Sequence, residues 1–147
     1  MTNLEESLQL LQKTHEASLG TLEDGKPFVS ATGFIYESSG QSKYGALYIL
    51  ASDLARHSRN IQKNPNVSLL ILEPNPNAPI HERKRVTVQG KTERVEDKGR
   101  FPELKAIYLK YFPKSEIFFT LPDFRFYRIE ILELHWIGGF GKAETFR

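Results

Sequence analysis

The most chemically loaded run in the chain is LARHSRNIQKNPNVSLLIL, residues 54–72, where Arg56 and His57 follow closely on the apolar ALYILAS. Apolar spacing predicts a helix over 53–63, with Leu54, Ser58 and Ile61 on one face, capped by Ser52 or Asp53 and stopped at Asn64-Pro65. Both basic residues then fall in the first turn. A cation there opposes the helix dipole by roughly 0.3–1 kcal/mol when exposed, and the orphan backbone N–H groups add to the same positive field. A bound anion, a phosphate above all, would offset that cost. The competing reading is a solvated pair whose charge Asp53 answers.

Little else in the chain has catalytic spacing. His15, His57, His81 and His135 are scattered, with no HExxH and no i, i+4 pair for a metal. No Ser-His-Asp arrangement is proposed by spacing. Glu5-Glu6 and Glu96-Asp97 lie on polar faces and read as solvated. With no cysteine, disulfides, thiolate nucleophiles and zinc-thiolate sites are excluded. The net charge of +2 is far below that of a nucleic-acid binder, and the basic cluster His81, Arg83, Lys84 and Arg85 carries no interleaved aromatics. The start MTNLEESLQLLQ is acidic and amphipathic, unlike a signal peptide, and no segment reaches the ~20 apolar residues of a membrane span. A soluble cytoplasmic protein is expected, with no nucleic-acid or membrane partner.

The elements that must hold these residues are mostly strands. Residues 3–16 predict a helix with a capping box at Asn3 and Glu6 and with Leu4, Leu8 and Leu11 on one face. Strands are predicted at 17–22, 27–37, 46–52, 67–73, 85–95 and 124–137. Asp24-Gly25 turns the first hairpin, 38–45 is loop or turn, and the three prolines of 74–83 mark a second loop. The run 67–73 is apolar throughout, as in a strand buried on both faces, whereas 85–95 alternates. Residues 102–112 predict another helix, with Pro102 in its first turn and Pro113 closing it. Too few helices separate these strands for a parallel doubly wound sheet. The expectation is a mainly β (α+β) chain, a six-stranded antiparallel barrel with peripheral helices, in one domain over 1–147.

Four segments in order, GKPFVSATGFIYE, ALYILASDLARHSRNIQKNPNVSLLIL, KRVTVQGKTERV and FRFYRIEILELHWIGGFGKA, carry a resemblance to a known family. The chain resembles the FMN-binding split-barrel family typified by pyridoxamine 5'-phosphate oxidase, and within it the subgroup that includes the haem-utilisation oxygenases. The resemblance implies a split barrel and a homodimer with FMN in each of two interface clefts. It places Ser30, Ala31, Thr32 and Gly33 along the flavin, with Ser30 and Ile35 standing where the oxidases carry charged residues. It places Leu50, Ala51, Ser52, Ala55, Arg56 and His57 at a strand end and phosphate grip, so Arg56 and His57 become the phosphate ligands. Arg85 stands where a glutamine contacts the ring, and a strand-edge charge is its bland alternative. Trp136 and Phe140 look like the segment reaching the flavin from the partner subunit, with core packing as the alternative for Trp136. Gly138, Gly139 and Gly141 mark a sharp turn, and Lys142 is a second phosphate contact.

What this implies is an FMN flavoprotein, an oxidoreductase acting on a small-molecule substrate or electron acceptor, with the chemistry at flavin N5 and no catalytic side chain assigned. Two alternatives stand beside it. One is a haem-binding or haem-degrading protein of the same fold, with His135 or another residue as ligand. The other is a flavin-binding module without catalysis. The histidine that haem-degrading relatives carry beyond the glycine turn has no counterpart before Arg147, which counts against haem oxygenase activity.

Overall fold

The computed structural model describes residues 1–38 and 42–147, so part of the loop expected at 38–45 lies outside the described residues. Helix α1, Asn3–Lys13, starts from Thr2 rather than Asn3, because the Thr2 hydroxyl accepts the Glu5 N–H at 3.1 Å. It ends at Lys13, earlier than its leucine spacing predicts, because Thr14 already has extended backbone. Leu10 and Leu11 enter the core while Leu4 and Leu8 pack at its margin.

Among the described residues eight strands follow, two more than expected. The predicted 27–37 strand divides at Phe34 into β2, Lys26–Gly33, and β3, Ile35–Glu37, and a further strand forms after the glycine turn. With β1, Glu16–Glu23, β4, Ala46–Ser52, β5, Asn66–Leu72, β6, Arg85–Arg94, β7, Phe124–Ile137, and β8, Ala143–Phe146, they make one curled antiparallel sheet. Its order is β2-β1-β5-β6-β7-β4-β3, with β8 also paired to β7. The long β7 is shared: Phe124–Glu130 pairs with β4 and Leu134–Ile137 with β8, while β6 runs along its other side. No helix is long and apolar enough to cross a membrane among the described residues.

Period two decides what the sheet buries. Leu19, Ile71, Val88, Ile129 and Trp136 face inward and pack under α1. A second core lies outside β4 and β7, where Tyr48, Leu50 and Phe126 meet Leu104 and Tyr108 of α3, Arg100–Tyr111. Strand β5 is buried on one face only, because Leu70 points outward. Its apolar run is explained by that outer face, which carries few charges. Helix α2 spans Arg56–Lys63, not 53–63, because Ser52–Ala55 forms a turn in which the Leu54 N–H donates to Ser52 Oγ.

Candidate functional site

The start of α2 shows what the chain does with Arg56 and His57. Its cap residue is Ala55, which offers no side chain to the orphan amides, so Arg56 and His57 open the helix. The Arg56 guanidinium instead grips Glu23 of β1 through Nε and Nη2, at 3.0 and 2.5 Å, and lies over the Phe28 ring. That hydrogen bond holds the Glu23 carboxyl below its ordinary pKa. His57 Nδ1 lies 3.3 Å from Ser30 Oγ, and burial lowers its imidazole pKa, which favours the neutral ring.

Asp53 does not answer Arg56. Its carboxylate accepts from Tyr127 OH at 2.6 Å, from Arg94 Nη2 at 2.5 Å and from Arg125 Nε. Burial alone would raise its pKa; the bonds from Tyr127 and Arg125, with the Arg94 charge, outweigh that and lower it. Ser52 Oγ donates to Asp123 Oδ2, which ties the turn to the start of β7. Leu50 and Ala51 are buried in β4. This corner is polar, and the charges of Arg56 and Asp53 are answered within the chain.

A larger cleft than the one at this corner lies elsewhere. It has a volume of about 750 Å³ and crosses the outer face of β2, β1 and β5. Register places Ala31, Ser18 and Leu70 side by side as its floor. Phe112, just past α3, walls one side, and Pro74 with Arg83 lines another part. A Cβ on Gly33 would stand 2.7 Å from the Phe112 ring, so only glycine lets the ring sit there. Ala31, Thr32 and Gly33 line this cleft, while Ser30 turns toward α2 on the opposite face. Alternation along β2 sends the neighbouring Ser30 and Ala31 to opposite faces.

Three other expected residues go separate ways. Arg85 Nη1 donates to the Ile80 and Arg83 carbonyls at 3.0 and 3.1 Å, so it fastens its own loop. Trp136 is fully enclosed in its own core and does not reach out of the molecule, which corrects the expectation of an indole extending to a partner's flavin. Phe140 does reach out: it is 87% exposed at the tip between Gly139 and Gly141, both at positive φ, with exposed Lys142 beside it. Phe112, Arg83 and Thr14, which also line the cleft, were not foreseen. The only sequence signal was Gly33, whose need for a close neighbour does not name Phe112. Among the described residues no group of three His, Asp or Glu is placed to hold a metal ion.

A curled antiparallel sheet whose longest strand is shared by two short ones, with a cleft on its outer face and helices at its rim, defines a split-barrel protein. The chain belongs to the CREG, beta-barrel family, whose model matches residues 6–146. It is similar to the heme oxygenase HutZ of Vibrio cholerae, at 29% identity over 136 residues, 90% of this chain and 74% of that protein. The crystal structure of HutZ, there called a heme storage protein, superposes with a TM-score of 0.72 at 26% identity, covering 99% of this chain and 94% of that one. A heme binding protein from Mycobacterium smegmatis matches with a TM-score of 0.87 at 24% identity; the chain is covered over 99% and spans 58% of that protein. A Listeria innocua protein provisionally named as a pyridoxamine 5'-phosphate oxidase shares the fold, with a TM-score of 0.73 at 15% identity over 94% of this chain and 100% of that one. The resemblance to the oxidase-like split barrels and their haem-utilisation subgroup stands on these matches.

Proposed function

We propose that the chain binds a flat conjugated cofactor, haem before flavin, in the cleft across β2, β1 and β5. The observation that carries this reading is the cleft itself, about 750 Å³ with a floor of small and apolar residues, within the range of cofactor sites. The names of the relatives favour haem over FMN. The phosphate-grip reading is weakened by the Glu23 carboxylate, which already occupies two of the nitrogens Arg56 would offer. Phe112 and Leu70 suit the ring's faces. None of the cleft-lining residues is an iron ligand of the imidazole or thiolate kind. His135 fits that role better: it pairs with Thr87 on β6, in the same outer row as Leu70. Its Nδ1 lies 2.8 Å from Thr145 Oγ1, which leaves Nε2 for a metal. Bound haem would supply an iron centre for electron or oxygen chemistry; the chain's part is to bind the ring and exclude water.

Titration with haemin tests the reading. A saturable Soret band is expected, with its position altered in His135→Ala. Stoichiometric uptake of FMN with no haemin binding would overturn it. FMN remains the second reading because Ala31, Thr32 and Gly33 line the cleft.

The reading also takes a second copy of the chain on the outer face. Between Gln89 and Gly90 the register shifts, leaving Leu132 as an unpaired bulge residue, 50% exposed. Gly20, Ser68 and Gln89 line a hollow of about 480 Å³ beside it. A leucine knob and a hollow on one surface suit a two-fold pair, in which each copy supplies both. Light scattering should find a dimer, and Leu132→Asp a monomer; an unchanged dimer in the variant would remove this face from consideration.

A further inference from the structure

A corner of stacked rings, one of them titratable, holds the wall of the large cleft. Phe112, the residue that ends α3, lays its ring on Tyr108, with centroids 4.6 Å apart, and against Gly33 of β2. The preceding Tyr111 stacks on His15 at 3.7 Å between centroids, and the same imidazole meets Phe112 edge-on at 6.3 Å. His15 stands between Thr14 and Glu16, two residues that line the cleft. The two ends of α3 are therefore fastened differently. Arg100 at its start pairs with Glu37 of β3 at 2.7 Å and with Glu103. Its far end rests on a histidine.

His15 Nδ1 lies 3.3 Å from the Phe34 carbonyl oxygen. A carbonyl only accepts, so Nδ1 carries the hydrogen and the neutral ring keeps a bare Nε2. A proton taken up at Nε2 would put a full charge into a half-buried aromatic corner. Burial opposes this and lowers the imidazole pKa from its ordinary 6.5, and the bond to the Phe34 carbonyl offsets only part of that. Neighbouring charges do not rescue the cation. Lys110 Nζ stands 5.5 Å from the centre of the same Tyr111 ring, and Lys13 ends α1 two residues upstream. Residues 30–35 of the adjoining strands carry no charge. Glu16, next in the chain, lines the cleft, and among the described residues no carboxylate pairs with the imidazole.

We propose that His15 is a pH-sensitive catch: neutral, it clamps the end of α3 and holds Phe112 as the cleft wall; protonated, it leaves the stack and lets that wall swing off Gly33. The catch stands on contacts within the chain, and its consequence for a ligand rests on the cofactor reading above. The closed corner disfavours the proton, so it is most stable above pH 6.5 and loses ground as pH falls below that toward its own lowered pKa. A flat ligand lying against Phe112 would then be released in acid.

Gly33 reports the wall without any ligand, because a ring this close moves its α-proton signals upfield in NMR. Between about pH 8 and 5 that shift should collapse in step with the His15 Hε1 titration. Phe112→Leu should abolish the shift at every pH, and His15→Phe, which stacks but cannot titrate, should keep it throughout. The single indole N–H signal, from Trp136, should hold still, which sets local release apart from unfolding. A Gly33 signal that stays fixed while His15 titrates overturns the catch, as does the same acid collapse in His15→Phe or a joint loss of the Trp136 signal. Haemin affinity should fall about tenfold over this range in the native chain and less than about twofold in His15→Phe. Movement of Gly33 with no haemin binding at either pH upholds the catch and overturns the cofactor reading alone.

Discussion

At the start of α2, Arg56, His57 and Asp53 meet partners in the same chain, although Ser58 Oγ is buried without one; beneath α1 the buried Thr14 Oγ1 and Trp136 Nε1 meet none among the described residues. The first region holds Arg56 on Glu23, Asp53 under Tyr127, Arg94 and Arg125, and Asn60 Nδ2 on Thr21 Oγ1 at 3.0 Å. The second holds Thr14 Oγ1 and Trp136 Nε1 beside an unpaired Lys13. Basic residues drew attention to the first, yet their charges are already neutralised. The second has fewer charges but more unmet hydrogen-bonding capacity.

The comparison can be broken in several ways. Trp136→Ala should have the largest effect, a loss of about 3–5 kcal/mol in denaturant unfolding, because it empties the centre of the core. A loss below about 1 kcal/mol would mean the indole packs elsewhere. Asp53→Asn should cost about 1–2 kcal/mol at pH 7, allowing for solvent around its arginines. Its folded pKa lies below the ordinary 3.8, so the contribution is complete above that value and disappears as pH falls through the folded pKa. Unfolding curves at pH 7 and below pH 3.8 should therefore differ for the native chain and converge with the variant in acid. A gap that persists in acid would deny that the carboxylate charge is what matters.

Thr14→Val should be close to neutral without ligand, or slightly stabilising, since it removes a hydroxyl that nothing answers and keeps the shape. A loss above about 1 kcal/mol would reveal a partner for Oγ1 and erase the contrast. Arg56→Ala should change haemin affinity least, by under threefold in a Soret titration. A ten- to hundredfold loss of FMN affinity, the expected effect of a lost charge-assisted hydrogen bond, would restore the phosphate grip and reverse the ranking of the two regions.

Much of the architecture was legible in local pattern. Period two marked the strands, Asp24-Gly25 marked the β1–β2 turn, and Asn64-Pro65 marked the end of α2. The boundaries that failed were those set by neighbours. Phe34 breaks the 27–37 run because its side chain is drawn into the core. The β8 strand exists because β7 extends past β4 and leaves an edge to pair with. The SATG run was legible as a strand, but alternation sent Ser30 and Ala31 to opposite faces.

Residue types and spacing by themselves determined the antiparallel class, the helix positions and the exclusion of cysteine chemistry. These follow from short-range sterics, hydrophobic period and composition, which a linear chain carries with it. Only the tertiary structure decided that Glu23 satisfies Arg56, that Phe112 rests on Gly33, and that Thr14 and Trp136 share a wall with their polar atoms unanswered. Each of those joins residues far apart in sequence, and whether a polar group is satisfied depends on what the fold brings within about 3 Å of it.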